Sequence, residues 1–185
     1  MESLDSKLLK KFQKFADIIQ LWIGLTNFQL AKITLTIALI GWLETRVEET
    51  VWHGWTVLNI IGMIVGSAFY LYITYRITIG EKNSHQNPLF QSDLSIDFVV
   101  FRRFAIYFVI LATYRLVTDI FLPMTIDEKP GTAVHNVRVS VFVWISSIGE
   151  WVTFYLASCT PKPRKPSRLK EWLEKTNLKP QTQGI

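Results

Sequence analysis

The chain has 185 residues, a formal net charge of +5 and 49% hydrophobic residues, with twelve Phe and seven Trp among them. Its charged residues concentrate near the two ends and in short segments between long apolar runs, whereas soluble helices alternate polar and apolar faces along their whole length. This distribution argues against a soluble domain and predicts an integral membrane protein.

Cysteine and histidine are too few or too poorly placed for several common sites. The single cysteine, Cys159, excludes an intramolecular disulfide and any metal or redox site built from several cysteines. A haem-binding bundle needs a histidine within its helices, whereas His53, His85 and His135 fall in predicted connections. We therefore expect no cofactor and no metal. Without a recognisable catalytic motif, the sequence predicts a protein that is not an enzyme.

Residues 1–24 are predicted to form an amphipathic helix outside the membrane. Its apolar residues recur at intervals of three and four and are Leu4, Leu8, Phe12, Phe15, Ile19 and Trp22. Its other faces carry Lys7, Lys10, Lys11 and Lys14. This pattern is typical of a helix that lies on a leaflet of anionic lipid. The alternative is that the apolar stripe packs on a partner protein.

Residues 25–159 are predicted to cross the bilayer four times. The spans are expected at about 25–43, 55–77, 96–122 and 137–159, and Pro123 and Pro161 terminate the last two. Short connections make neighbouring helices antiparallel. The predicted fold is therefore an all-α, up-down four-helix transmembrane bundle.

Residues 160–185 form a basic tail in which residues 167–178 could fold as a short helix. The tail has no recognisable folded module that reads nucleic acid, and a membrane surface accounts for the same charge. We therefore expect lipid or protein contacts and no nucleic acid.

Lysine and arginine determine the expected orientation. With the N-terminus inside, the cytoplasmic flanks carry 13 of these residues and the outer connections carry 3. The positive-inside rule then predicts that both termini are cytoplasmic, in a cell (inner) membrane.

Four ionisable residues are predicted to lie within or near the spans: Lys32, Arg115, Asp119 and Glu150. Such residues usually face the interior of a bundle or a wet cavity, because exposure to hydrocarbon is costly. Arg115 is expected to lie at the depth of Glu150 and to pair with it, while Asp119 competes for the same guanidinium. The network could line an ion pathway or could be a structural ion pair.

Two further groups are predicted to act at the membrane. Gly62 and Gly66 form a GxxxG motif, which lets another helix approach closely. Arg102 and Arg103, at the start of the third span, are expected to reach lipid phosphates.

Acidic residues and histidines gather in the predicted outer connections. They are Glu44, Glu48, Glu49, His53, Asp127, Glu128 and His135. We interpret them as a solvated acidic rim that attracts cations. Glu49 and His53 could share a metal on one helical turn, but two ligands are too few for a site.

Two classes of function fit these features. The first is a partner-binding or anchoring subunit of a membrane complex, or a homo-oligomer, without catalytic activity. The second is a small homo-oligomeric channel or transporter that uses Arg115, Asp119 and Glu150.

Overall fold

A computed structural model of the chain describes residues 3–84, 90–121, 132–160, 168–169 and 172. Within these ranges the chain forms helices and no strands. The five long helices are α1 (Leu4–Ile23), α2 (Asn27–His53), α3 (Val57–Ser84), α4 (Phe90–Phe121) and α5 (Thr132–Ala157). The predicted all-α class is confirmed for this part of the chain.

Three of the helices contain stretches long and apolar enough to cross a membrane. These stretches are Val57–Asn83, Phe98–Phe121 and Val134–Ala157. Helices α1 and α2 meet the same criterion only when taken together, and their axes differ by 102°. The described residues therefore contain three candidate spans, or four if the bent pair counts as one.

A tight turn separates α1 from α2. Gly24 caps α1 in the left-handed region, at φ 86°, which glycine adopts without a steric penalty. The hydroxyl of Thr26 accepts a hydrogen bond from the backbone of Gln29, whose side chain in turn accepts one from the backbone of Thr26. This reciprocal cap starts α2 in a new direction.

Helix α2 is longer than the first predicted span, which we expected to end at residue 43. It continues to His53, so Glu44, Glu48 and Glu49 lie on a helix and not in a connection. The extension is held by α5, where Arg138 Nε donates to Glu48 Oε1 at 2.9 Å. This interhelical ion pair favours helix where hydropathy alone predicts a loop.

Helices α2 and α5 form the closest pair, and small residues bring their backbones together. A Cβ added to Gly41 would lie 2.9 Å from the carbonyl oxygen of Phe142. One added to Gly149 would lie 2.8 Å from Cβ of Ala38 and 3.0 Å from the carbonyl oxygen of Thr34. Helix α5 is therefore central. In its most apolar stretch of 18 residues half are buried, against 17% in the corresponding stretch of α3 and 11% in that of α4.

Aromatic side chains fill the bundle where α3, α4 and α5 meet. Phe101 stacks on Phe154 with ring centroids 5.4 Å apart, and Phe69 lies 6.1 Å from Phe101. This layer is near the end of the bundle where α2 begins and α5 finishes. We call this end of the bundle the α1 end, because α1 packs across it. The ring of Phe12 in α1 lies 4.9 Å from that of Tyr155 in α5.

Candidate functional site

Glu150 lies in a polar cluster between α3 and α5. The Tyr70 hydroxyl donates to Glu150 Oε1 at 2.6 Å, and Ser146 Oγ lies 3.0 Å from the same phenol oxygen. A phenol carries one hydrogen, so Ser146 donates to Tyr70 in this arrangement. Helix α3, which is otherwise peripheral, is thus anchored on α5 by a buried hydroxyl.

Arg115 and Asp119 belong to a different group. Arg115 Nε lies 3.7 Å from Asp119 Oδ2, and the Ser140 hydroxyl donates to the same carboxylate. The Arg115 side chain is 48% exposed. Asp119, expected as a competitor for this guanidinium, is the residue that Arg115 contacts, and among the described residues Arg115 makes no ion pair with Glu150.

The expected network of Arg115, Asp119 and Glu150 therefore divides in two, and the register of α4 against α5 explains why. Trp144 Nε1 donates to Thr113 Oγ1 at 3.1 Å, which places these two residues at one level. Together with the hydrogen bond from Ser140 to Asp119, this register puts Phe108 opposite Glu150. Arg115 then lies about 10 Å further along the bundle, at 1.5 Å per residue.

Gly62 and Gly66 face α2, where they accommodate side chains one helical turn apart. A Cβ on Gly62 would lie 3.2 Å from Nη1 of Arg46, and one on Gly66 would overlap the Trp42 indole. The GxxxG motif thus makes room for a tryptophan and an arginine. The close backbone contacts of the bundle are at Gly41 and Gly149 instead.

The prediction that Arg102 reaches lipid phosphates is wrong, because its side chain is only 2% exposed. Its guanidinium donates to both oxygens of Asp5, at 3.1 and 2.9 Å, and to Ser158 Oγ at 2.6 Å. Tyr155 also donates to Asp5, at 2.9 Å. The hydrogen bond from Arg102 is the main cause that lowers the pKa of the Asp5 carboxyl. Arg103, in contrast, is exposed.

Helix α1 is held by a second set of polar contacts at its middle. The Gln13 amide donates to the carbonyl oxygen of Thr160 at 3.0 Å and accepts from its backbone NH at 2.7 Å. The four lysines Lys7, Lys10, Lys11 and Lys14 are exposed. Arg168, in the tail, lies 5.6 Å from the Trp22 ring.

The acidic rim is in part an interhelical cluster. Glu48 contacts Arg138 and also lies 3.5 Å from His135, whose ring packs on Trp52 at 4.5 Å. His53 lies 3.7 Å from Glu49 on the same helix. Within the described ranges no group of three or more His, Cys, Asp or Glu could hold a metal. Asp127, Glu128 and His85 lie outside the described residues.

Four tyrosines on α3 and α4 present their side chains outward. They are Tyr72, Tyr75, Tyr107 and Tyr114. In the part of the chain that the structure describes, their hydroxyls form no hydrogen bond. Tyr72 and Tyr107 lie near the midpoints of their candidate spans, within about 4 Å at 1.5 Å per residue.

Comparison with known proteins identifies no relative. No protein-family model, no curated protein and no solved structure matches this chain. The class defined by the fold is that of an all-helical protein with several helices apolar enough to span a membrane.

Proposed function

We propose that this chain is a non-catalytic integral membrane protein that binds or anchors another membrane protein through α3 and α4. The observation that carries the proposal is the position of Tyr72 and Tyr107. Their side chains are 47% and 66% exposed, at mid-span, with hydroxyls that lack a hydrogen-bond partner among the described residues. A hydroxyl without a hydrogen bond is unfavourable in hydrocarbon. A hydrogen bond to a polar group of a partner removes this cost.

The occupant that fits this surface is a membrane-spanning helix of a partner. Tyrosine supplies a large apolar contact and a hydroxyl that can bond a backbone carbonyl or a Ser, Thr, Asn or Gln side chain across helices. Lipid chains offer no such acceptor. Ile110, Leu111 and Tyr114, also exposed on α4 and one or two turns from Tyr107, extend the surface.

In this proposal α2, α3, α4 and α5 cross the cell membrane as an antiparallel bundle with both termini cytoplasmic. The excess of Lys and Arg at the α1 end supports the orientation. Helix α1 would then lie along the cytoplasmic surface, which is supported by its 102° angle to α2 and by its exposed lysines. Phe15, Ile18 and Trp22, which are exposed on α1, would face the acyl chains.

Photo-crosslinking tests the partner surface. A benzophenone amino acid at Tyr107 is expected to give one protein adduct of defined mass in native membranes. The matched control is Ile37 of α2, which is 48% exposed and also lies near mid-span; it should give lipid adducts only. An adduct with the mass of two copies would identify the partner as this chain itself. Equal adduct patterns from Tyr107 and Ile37 would contradict the proposal.

Cysteine labelling tests the orientation. A Cys placed at His53, whose side chain is 63% exposed, should react from outside with a reagent that does not cross membranes. A Cys placed at Lys10 should react only after permeabilisation. The native thiol of Cys159 is buried and should contribute little background. The reverse pattern would show that the termini face outward.

The channel alternative stays a prediction. It rests on Glu150 alone, because Arg115 and Asp119 contact each other and not Glu150. Glu150→Gln in liposomes would test it by a change in ion flux.

A further inference from the structure

Two cavities adjoin inside the bundle at Glu150. The first, of about 390 Å³, is lined toward the end opposite α1 by Trp42, Thr45, Arg46 and Ser147. The second, of about 300 Å³, is lined toward the α1 end by Phe101, Phe104 and Phe154. Both include Phe69, Phe108 and Glu150 in their walls. Each volume lies in the range of small-molecule sites.

The first cavity contains polar groups that the protein leaves unsatisfied. Nε of Arg46 is buried and has no hydrogen-bond partner among the described residues. Glu150 receives the Tyr70 hydrogen on Oε1, while its Oε2 bonds to no described residue. A buried donor without a partner is unfavourable, so an occupant that supplies an acceptor to the Arg46 guanidinium would be bound more tightly.

The second cavity is apolar and opens beside α4. Among its lining residues Glu150 alone has a polar side chain, and the remaining side chains are aromatic or aliphatic. Phe104 and Phe108 are 60% and 58% exposed, so this wall also faces the surroundings of α4. If α4 spans a membrane, an apolar chain could enter from the bilayer without passing through water.

We propose that the two cavities together bind a zwitterionic amphiphile with one hydrocarbon chain. Its acceptor group, such as a phosphate, bonds Arg46, and its donor group, such as an ammonium, bonds Glu150. The chain lies along the phenylalanines toward the α1 end. A guanidinium and a carboxylate that line one cavity without pairing with each other select a head group that carries both functions.

Binding can be measured through Trp42, which lines the head-group cavity. The full chain is placed in phosphatidylglycerol nanodiscs, and lysophosphatidylethanolamine with a brominated chain is added. Saturable quenching of tryptophan fluorescence is expected, and Trp42→Phe should remove the saturable part. A brominated fatty acid, which lacks the donor, should bind at least tenfold more weakly.

Three substitutions separate a specific site from general partition into lipid. Arg46→Gln and Glu150→Gln should each weaken binding of the lysolipid by about tenfold or more. The matched control is Arg115→Gln, whose side chain lies outside both cavities and should leave the affinity unchanged. If Arg46→Gln does not fold, Arg46→Lys keeps the charge, removes the Nε donor and should still weaken binding.

Equal affinities for the Arg46 and Arg115 variants would overturn the proposal. Saturable quenching that persists in Trp42→Phe, or quenching of the unsubstituted chain that never saturates, would also overturn it. The outcome of this binding test is separate from that of the partner proposal, because crosslinking at Tyr107 reports only on the outer side of α4.

Discussion

Replacement of Gly149 by leucine is expected to destabilise the fold strongly. A Cβ at this position would approach Ala38 Cβ at 2.8 Å and the Thr34 carbonyl oxygen at 3.0 Å, and the oxygen belongs to the α2 backbone. The helices would have to separate along the closest contact of the bundle. Overpacking in a well-packed core costs about 1–3 kcal/mol, and displaced backbones place this case at or above the upper limit.

The loss should appear as a large drop in thermal stability in detergent and as faster proteolysis. Gly62→Ala is the control, since its Cβ would meet only the Arg46 guanidinium, the far end of a flexible side chain, with Nη1 at 3.2 Å. Alanine gains about 1 kcal/mol of helix propensity over glycine, so this variant should be neutral or slightly stabilised. Equal melting temperatures for Gly149→Leu and Gly62→Ala would show that α2 and α5 are not tightly packed at Gly149.

The sequence predicted the number and type of the main elements because each leaves a local signal. The stripe from Leu4 to Trp22 has helical periodicity, and the helix is observed over Leu4–Ile23. The apolar runs correspond to α3, α4 and α5, although all three helices begin or end away from the predicted limits. The small residues Ala38, Gly41 and Gly149 were also visible in the sequence. They do not form a GxxxG pair, so that motif does not indicate the close contact between α2 and α5.

The contacts that determine the site are not local and could not be predicted in this way. Glu150 was expected beside Arg115 because the depth of each span was estimated from apolar limits. The register is set instead by pairs such as Trp144 and Thr113, which hydropathy does not encode. A displacement of a few residues per helix changed the partner of Glu150 from Arg115 to Tyr70.

Arg102 illustrates the same limit at the α1 end. Next to Arg103 at the start of an apolar run, it has the pattern of a lipid-facing residue. Its partner, Asp5, is 97 positions away in the chain. Only the fold of α1 across the end of α5 brings the carboxylate to the buried guanidinium. The two adjacent arginines therefore have opposite environments, which makes them a matched pair for experiment.

Substitution of Asp5 by alanine is expected to release α1 from the bundle. The change leaves the Arg102 guanidinium buried without its counter-charge, and breaking a buried ion pair in this way costs about 3–5 kcal/mol. Undocking of α1, which lets Arg102 reach water or lipid phosphate, reduces that cost. Hydrogen exchange should therefore rise throughout Leu4–Ile23 while α5 remains protected.

Two further variants distinguish the ion pair from a general charge effect. Arg103→Ala, which removes an exposed charge from the neighbouring position, should leave exchange in α1 unchanged. The double variant Asp5→Leu with Arg102→Met should restore most of the protection, because apolar side chains of similar size can replace a buried pair at little cost. Unchanged exchange in Asp5→Ala would mean that Phe12 and Gln13 hold α1 without help from the ion pair. An equal effect of Arg103→Ala would instead indicate a general effect of charge. Protection restored in the double variant would show that the remaining contacts are sufficient to dock α1, and that Asp5 is needed to satisfy the Arg102 charge at the junction of α1, α4 and α5.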